Sequence, residues 1–189
     1  MAIEQMRLGR TEFAMMNNPI RRFLQRHVEF RVFQQHLRKR KIDLTNKAIL
    51  DAGCGSGYST GLIASKFVPS RLVAFDLMPE QIALAKRRGL NADILVGDMT
   101  HVELPDNTFD AVFIFGVLHH IPSWRNALRE MARVLGPKGV LLVEEPQVRF
   151  SWPQFEQGME DAGFEILERS QILTQGFQSY LAKKTEYVG

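Results

Sequence analysis

The stretch Ala48-Ile49-Leu50-Asp51-Ala52-Gly53-Cys54-Gly55-Ser56-Gly57-Tyr58-Ser59-Thr60 decides how this chain folds. Ile49 and Leu50 close a short apolar run of the kind that forms a fully buried strand. An apolar periodicity resumes at Tyr58 and continues to Phe67, which predicts a helix. Gly53, Gly55 and Gly57 therefore fall on the turn between strand and helix. There they let the backbone bend sharply and leave no Cβ between the main chain and a ligand. A strand, a glycine turn and a helix make the first crossover of a doubly wound α/β sheet, whose ligands lie beyond the carboxyl ends of the strands.

The glycine spacing separates two chemistries. The dinucleotide fingerprint G-x-G-x-x-G needs a third glycine for close helix–strand packing and seats a pyrophosphate on the helix N-terminus. Counted from Gly53 that third position is Tyr58, and counted from Gly55 it is Thr60. No phosphate-binding lysine follows, as a P-loop would require. What remains is D-x-G-x-G-x-G. With the strand-end residues described below, it resembles the class I S-adenosylmethionine-dependent methyltransferases (methyltransferase type 11), in the branch that includes the ubiquinone- and menaquinone-type C-methyltransferases. The resemblance covers roughly residues 46 to 185. It implies a Rossmann-like α/β sheet in the order 3-2-1-4-5-7-6 with strand 7 antiparallel, an N-terminal helical extension, and S-adenosyl-L-methionine as cofactor. On this reading residues 1–45 form a helical lid or packing segment and residues 46–189 the cofactor-binding domain.

Working outward, Arg71 to Phe75 reads as the second strand, with Asp76 at its carboxyl end, nineteen positions past Gly57. That is close to the ~20-residue offset at which an acid meets ribose hydroxyls. Leu77 and Met78 follow, placed to cover one face of an adenine, and Pro79 opens the next helix. Asp93 to Val96 is the third strand and ends in Gly97-Asp98-Met99. The resemblance gives Asp98 the exocyclic amine of adenine and Met99 a backbone contact to its ring; read alone, Asp98 is equally a turn residue. Phe109 to Phe115 is the fourth strand, followed by Gly116-Val117-Leu118-His119-His120. Phe115, Gly116 and Val117 match the position that touches the methionyl part of the cofactor in the family. Asp51, Gly53, Cys54, Gly55 and Gly57 complete the cofactor set, with Cys54 read as inert packing in the turn.

Ser123 is expected to cap a helix from Trp124 to Leu135 that Gly136-Pro137 stops, and Gly139 to Glu145 is the fifth strand. Ser151 and Gln154 have capping-box spacing, and the helix they open ends at Gly163. Phe164 to Ile172 and Phe177 to Lys183 read as a terminal antiparallel pair joined through Thr174-Gln175-Gly176.

The N-terminal side is a basic helix. Asn18-Pro19 is a helix start, and Phe23, Leu24, Val28, Phe30, Phe33 and Leu37 form an apolar stripe. Between them lie Arg21, Arg22, Arg26, Arg31, Arg38, Lys39, Arg40 and Lys41, opposed only by Glu29. The favoured reading packs the stripe on the domain and solvates the basic side. A second reading makes residues 21–41 a contact for nucleic acid or an anionic membrane. By resemblance the segment also covers the cofactor, with Phe13, Met15, Met16, Asn17 and Phe23 as pocket candidates.

With 189 residues, 45% hydrophobic and 24% charged, the composition is that of a globular domain with room for a proper core. No apolar run reaches the ~18 residues a membrane span needs, and MAIEQMRLGR lacks the apolar centre of a signal peptide. A lone cysteine forms no internal disulfide, so a reducing cytoplasm is the expected location.

The reaction implied is transfer of a sulfonium methyl to a small, apolar or aromatic acceptor. The donor carries the electrophile, so the protein chiefly holds the two in line and excludes water. A base is needed only where the acceptor carries a proton. His119 and His120 are the candidates, and Met16, Phe23, His119, Trp124 and Glu145 are expected to frame the acceptor. No N-P-P-[YF] follows the fourth strand, no second cysteine is present, and no metal-ligand spacing appears. The alternative is a cofactor-binding but non-catalytic module that works through the basic helix on RNA, membrane or a protein partner.

Overall fold

The apolar run ahead of the glycines becomes the centre of a sheet. The computed structural model describes residue 23, residues 25–172 and residues 176–185. The strands are β1 (Ala48–Ala52), β2 (Arg71–Asp76), β3 (Asp93–Val96), β4 (Phe109–Phe115), β5 (Leu135–Pro146), β6 (Phe164–Gln171) and β7 (Phe177–Lys184). They lie in the order β3-β2-β1-β4-β5-β7-β6. β1 to β5 are parallel, and β7 is antiparallel to both β5 and β6. Order and strand sense match the expectation. Central strands of such a sheet are buried on both faces, which is why Ile49, Leu50, Val112 and Phe113 are all fully enclosed.

Strand alternation divides these side chains between two helical layers. Ile49, Leu72, Phe113, Phe115 and Leu142 face α1 (Phe30–Lys39) and α2 (Tyr58–Phe67), and α3 (Pro79–Lys86) packs on Ala74 and Ile94. Leu50, Val112, Ile114 and Val143 face α4 (Trp124–Val134) and α5 (Trp152–Asp161) on the other side. The single sheet with helices on both faces puts every strand's carboxyl end on one rim, where the site forms.

α1 follows a π-helical turn at Gln25–Glu29 and buries Phe30, Phe33, His36 and Leu37 at three- and four-residue spacing. The Phe33 ring lies 5.8 Å from Phe113 and 5.0 Å from Phe115. Its basic side is not opposed by Glu29 alone. The Lys39 ammonium and the Arg40 guanidinium both donate to the Glu168 carboxylate on β6, and Arg40 also donates to the Leu167 carbonyl. These cations tie the helix to the far edge of the sheet, while Arg26, Arg31, Arg38 and Lys41 remain exposed. The expected start at Asn18-Pro19, the residues Phe13, Met15, Met16, Asn17, Arg21, Arg22 and Leu24, and the turn residues Thr174 and Gln175 lie outside the described residues.

Two boundaries differ from expectation. Gly136-Pro137 does not separate helix from strand, because β5 starts directly at Leu135, which pairs with Phe109. The register then shifts so that Ala111 pairs with Val140, and Lys138 takes a φ of 64° within the excursion. Ser123 occupies the N-cap position of α4 without a side-chain cap bond; its carbonyl takes the Asn126 amide instead. The capping box on α5 is formed in full by Ser151 and Gln154.

Trp124 docks α4 on α5. Its ring sits 5.1 Å from Phe150 and 5.6 Å from Phe155, flat against Gly158, where a Cβ would lie 2.5 Å from Trp124 Cη2. Gly158→Ala is therefore expected to destabilise the protein by about 1–3 kcal/mol through overpacking. The check is a lower urea midpoint with an unchanged slope.

Candidate active site

Each glycine of the turn has its own reason. All three have positive φ: 76° at Gly53, 52° at Gly55 and 76° at Gly57. A Cβ on Gly53 would lie 2.7 Å from Val117 Cγ2, so the turn approaches the end of β4 as closely as glycine permits. A Cβ on Gly57 would lie 2.9 Å from that of Ala85, so this position serves the packing of α3. The amides of Gly53 and Cys54 both donate to the Phe75 carbonyl at 2.9 Å, which fastens the turn to β2.

Asp51, on β1, closes the turn from below. Gly57 at the N-cap of α2 has no side chain to offer the helix. Asp51 Oδ2 instead accepts from the hydroxyls of Ser59 and Thr60, each at 2.7 Å. Oδ1 is buried with no hydrogen-bond partner. Burial, with a smaller push from Asp76, raises this carboxyl to about 6 against the pull of the two hydroxyls.

Above the turn, at the carboxyl ends of β1, β2, β3 and β4, opens a cleft. Gly53, Asp76, Leu77, Asp98, Met99, Gly116 and His120 line it, together with Phe75, Met78, Gly97, Val117 and Ile121. No lysine or arginine is among these residues. Asp76 Oδ2 accepts from the Gly55 amide and Oδ1 from the Met78 amide, both at 2.9 Å, which aims the carboxylate while leaving each oxygen a lone pair. Burial holds its pKa above the ordinary carboxylate value despite those two donors. Asp98 Oδ1 accepts from the amide and hydroxyl of Thr100, so the residue builds its own turn as well as lining the cleft. The nearest cation to the glycine turn, Arg88, points its Nε at the Ser56 carbonyl and stacks over Tyr58.

Several expected site residues sit behind the cleft. Asp51, Cys54, Gly55 and Gly57 shape the turn without lining it. Cys54 is buried, and burial followed by the charges of Asp51 and Asp76 pushes its thiol far up. The Phe115 side chain turns to the opposite face of the sheet, against Phe30 and Phe33, because the alternation of β4 sends it there. Val117 and Gly97, expected at the ends of β4 and β3, line the cleft, and Phe75, which was not anticipated, is the sequence neighbour of Asp76. Ile121 carried no signal of its own.

Of the residues expected to frame the acceptor, Trp124 is core, as described above. Glu145 is completely enclosed: Oε1 accepts from the amides of Val117 at 2.9 Å and Leu118 at 2.7 Å, and Oε2 from the amide of His119 at 3.2 Å. It is the cap of the one-turn 3-10 helix Leu118–His120. Its Oε2 also meets His119 Nδ1 at 2.8 Å. This network assigns the proton to Nδ1 and leaves Nε2 as the accepting nitrogen. His119 does not line the cleft; His120 does, and the two rings lie 3.9 Å apart. Phe23 is 60% exposed beside His27, away from the cleft lining, and Met16 lies outside the described residues.

Residues 50–143 match the family model of the methyltransferase domain. A fatty-acid O-methyltransferase from Mycolicibacterium smegmatis is 31% identical over 139 residues, 72% of this chain and 51% of that protein. A demethylmenaquinone methyltransferase from Thermus thermophilus is 34% identical over 116 residues, 57% of this chain and 53% of that protein. The chain thus spans about half the length of these curated relatives. The crystal structure of a SAM-dependent methyltransferase from Aquifex aeolicus superposes with a TM-score of 0.77 at 21% identity, over 94% of this chain and 99% of that one. The cyclase SpnF superposes with a TM-score of 0.72 at 22% identity, over 82% and 80%.

The enclosed Asp51 carboxyl gives a direct test of the turn. The folded state keeps its proton up to about pH 6, whereas the unfolded chain releases it near 3.8. Its contribution to stability therefore falls as pH rises through that window and is level above it. Relative to Asp51→Asn, wild type is expected to lose about 2–3 kcal/mol across the window, measured as urea unfolding free energies against pH.

Proposed function

The chain belongs to the class I S-adenosylmethionine-dependent methyltransferases, and on that premise we propose that it transfers the cofactor's methyl group to a small, apolar or aromatic acceptor. The observation that carries this reading is the charge of the cleft: among the described residues its lining holds two carboxylates, Asp76 and Asp98, and neither lysine nor arginine. A dinucleotide pyrophosphate would find no described lysine or arginine there to offset the two carboxylates, whereas a sulfonium that also bears an ammonium is a cation they attract. The residues present fit the group in two further respects. The floor at Gly53 is kept open where any Cβ would strike Val117, and the buried Asp51 Oδ1 under the turn lacks a partner. Asp76 would hold the ribose hydroxyls, Asp98 and Met99 the adenine, and Gly53 with Gly116 the methionyl end.

When bound, the cofactor supplies an electrophilic methyl, and the remaining work belongs to the protein. The apolar part of the lining, Phe75, Met99, Val117 and Ile121, excludes water. His119 is the base this reading assigns for an acceptor that carries a proton. Glu145 fixes its ring through Nδ1, and that ring lies 3.9 Å from the ring of His120, which lines the cleft. The names of the two relatives favour an apolar acceptor, a fatty acid or a quinol. On the same reading residues 1–45 are a lid or packing segment, and α1 within it does the packing. The competing idea of a non-catalytic module is weakened by Lys39 and Arg40, which are engaged by Glu168 within the chain.

Calorimetry is expected to show S-adenosylmethionine binding and no NAD binding. Asp76→Ala should weaken the cofactor by about 1–3 kcal/mol through loss of a charged acceptor; unchanged affinity would remove the ribose assignment. With a labelled cofactor and a panel holding a long-chain fatty acid and a reduced quinone, His119→Ala should lower kcat by about 10²–10⁴-fold. Its cofactor affinity should stay at the wild-type value.

A further inference from the structure

The acceptor side of the cleft carries a surface that the chemistry above does not use. The loop after β5 and the entry to β7 are joined by the Gln147 amide donating to the Gly176 carbonyl at 2.7 Å. The Val148 amide donates back to the Pro146 carbonyl at 2.9 Å, which turns Val148 outward with 73% of its surface exposed. Phe177, paired with Pro146 across β5 and β7, is 39% exposed beside it. Arg149 is exposed and donates its Nε to the carbonyl of His119, the residue before the cleft-lining His120, at 2.7 Å, so this loop is held beside the cleft. Arg125, also exposed, lies over the Trp124 ring at the start of α4.

The charge on the two segments that follow β4 and β5 is of one sign, and the carboxylate on the other side of Phe177, Glu156, is paired with Arg169. No acidic residue occurs between Asp110 and Glu130 or between Glu145 and Glu156. The rim over β4, β5 and β7 therefore presents Arg125 and Arg149 with no exposed carboxylate from either segment. Phe177 is the one aromatic face on this rim and is the less exposed tip, while Val148 gives a base no stacking face and a phosphate no donor, so the rim is poorly suited to RNA. It suits an interface in which apolar groups enter acyl chains while cations stay at the headgroups.

We propose that this rim docks on an anionic lipid surface, with Val148 and Phe177 in the acyl region and Arg125 and Arg149 at the headgroups. The docking deepens the proposed function and rests on it in one respect: it sets the mouth of the cleft against the phase in which an apolar acceptor dissolves. Its binding step stands without any acceptor being identified.

Flotation of the full chain with phosphatidylcholine vesicles, with and without phosphatidylglycerol, tests it. Binding is expected only when phosphatidylglycerol is present, and it should weaken with added salt. Val148→Asp and the Val148→Asp/Phe177→Asp pair should abolish flotation, and Arg125→Gln should lower the partition coefficient about fivefold. Thermal unfolding and S-adenosylmethionine affinity should match wild type in the same samples, which separates loss of docking from loss of fold. Equal binding to both vesicle types, no binding to either, or full binding by a folded Val148→Asp/Phe177→Asp protein would overturn the proposal. So would a structured RNA that binds more tightly than vesicles and is indifferent to Val148→Asp. Methyl transfer to a water-soluble acceptor in the absence of flotation would overturn the docking alone. Flotation without cofactor binding would instead overturn the reading of the cleft.

Discussion

The arrangement depends on a buried carboxylate that is spent on the backbone turn above it. Asp51 takes the Ser59 and Thr60 hydroxyls and so fastens the first turn of α2 to the end of β1. Gly57, at the N-cap, has no side chain with which to do this. With α2 fastened, the glycines hold their left-handed conformations, Gly53 approaches Val117, and the amides of Gly53 and Cys54 reach Phe75. Each of these contacts joins β1 to a neighbouring strand, so the cleft exists only where the three strand ends are held together.

Glu145 repeats the device across the cleft. Its two oxygens collect three backbone amides and the His119 ring, which holds the segment after β4 in one conformation. A wholly enclosed carboxylate is costly unless its lone pairs are used, and here they are used for shape. The ring of His119 is oriented as a consequence. The two acids thus stand on either side of the ligand space and contribute rigidity, while Asp76 and Asp98 contribute charge inside it.

The fold alone does not determine the reaction. The Aquifex aeolicus methyltransferase and the cyclase SpnF superpose on this chain about equally well. What narrows the chemistry is local: an acid-lined cleft whose described lining holds neither lysine nor arginine, glycines placed for closeness rather than for a phosphate, and an imidazole braced by a carboxylate.

The strand order came with the family resemblance; the sequence by itself determined the strands, the strand–glycine turn–helix unit and the strand-end acids. These follow from apolar runs, turn residues and short spacings, all of them local. Asp76, Asp98 and Gly116 were legible because each stands at the end of an apolar run. Tertiary structure decided which way the side chains face. Alternation along β4 and β5 says that there are two faces, but only packing says that Phe115 meets α1 and that Trp124 fills the space beside Gly158. Glu145 meets the amides of residues 117–119, and Lys39 and Arg40 meet Glu168 near the other end of the chain. No spacing rule reaches across such separations, because those partners meet only once the sheet has brought β5 beside β4 and β6 under α1.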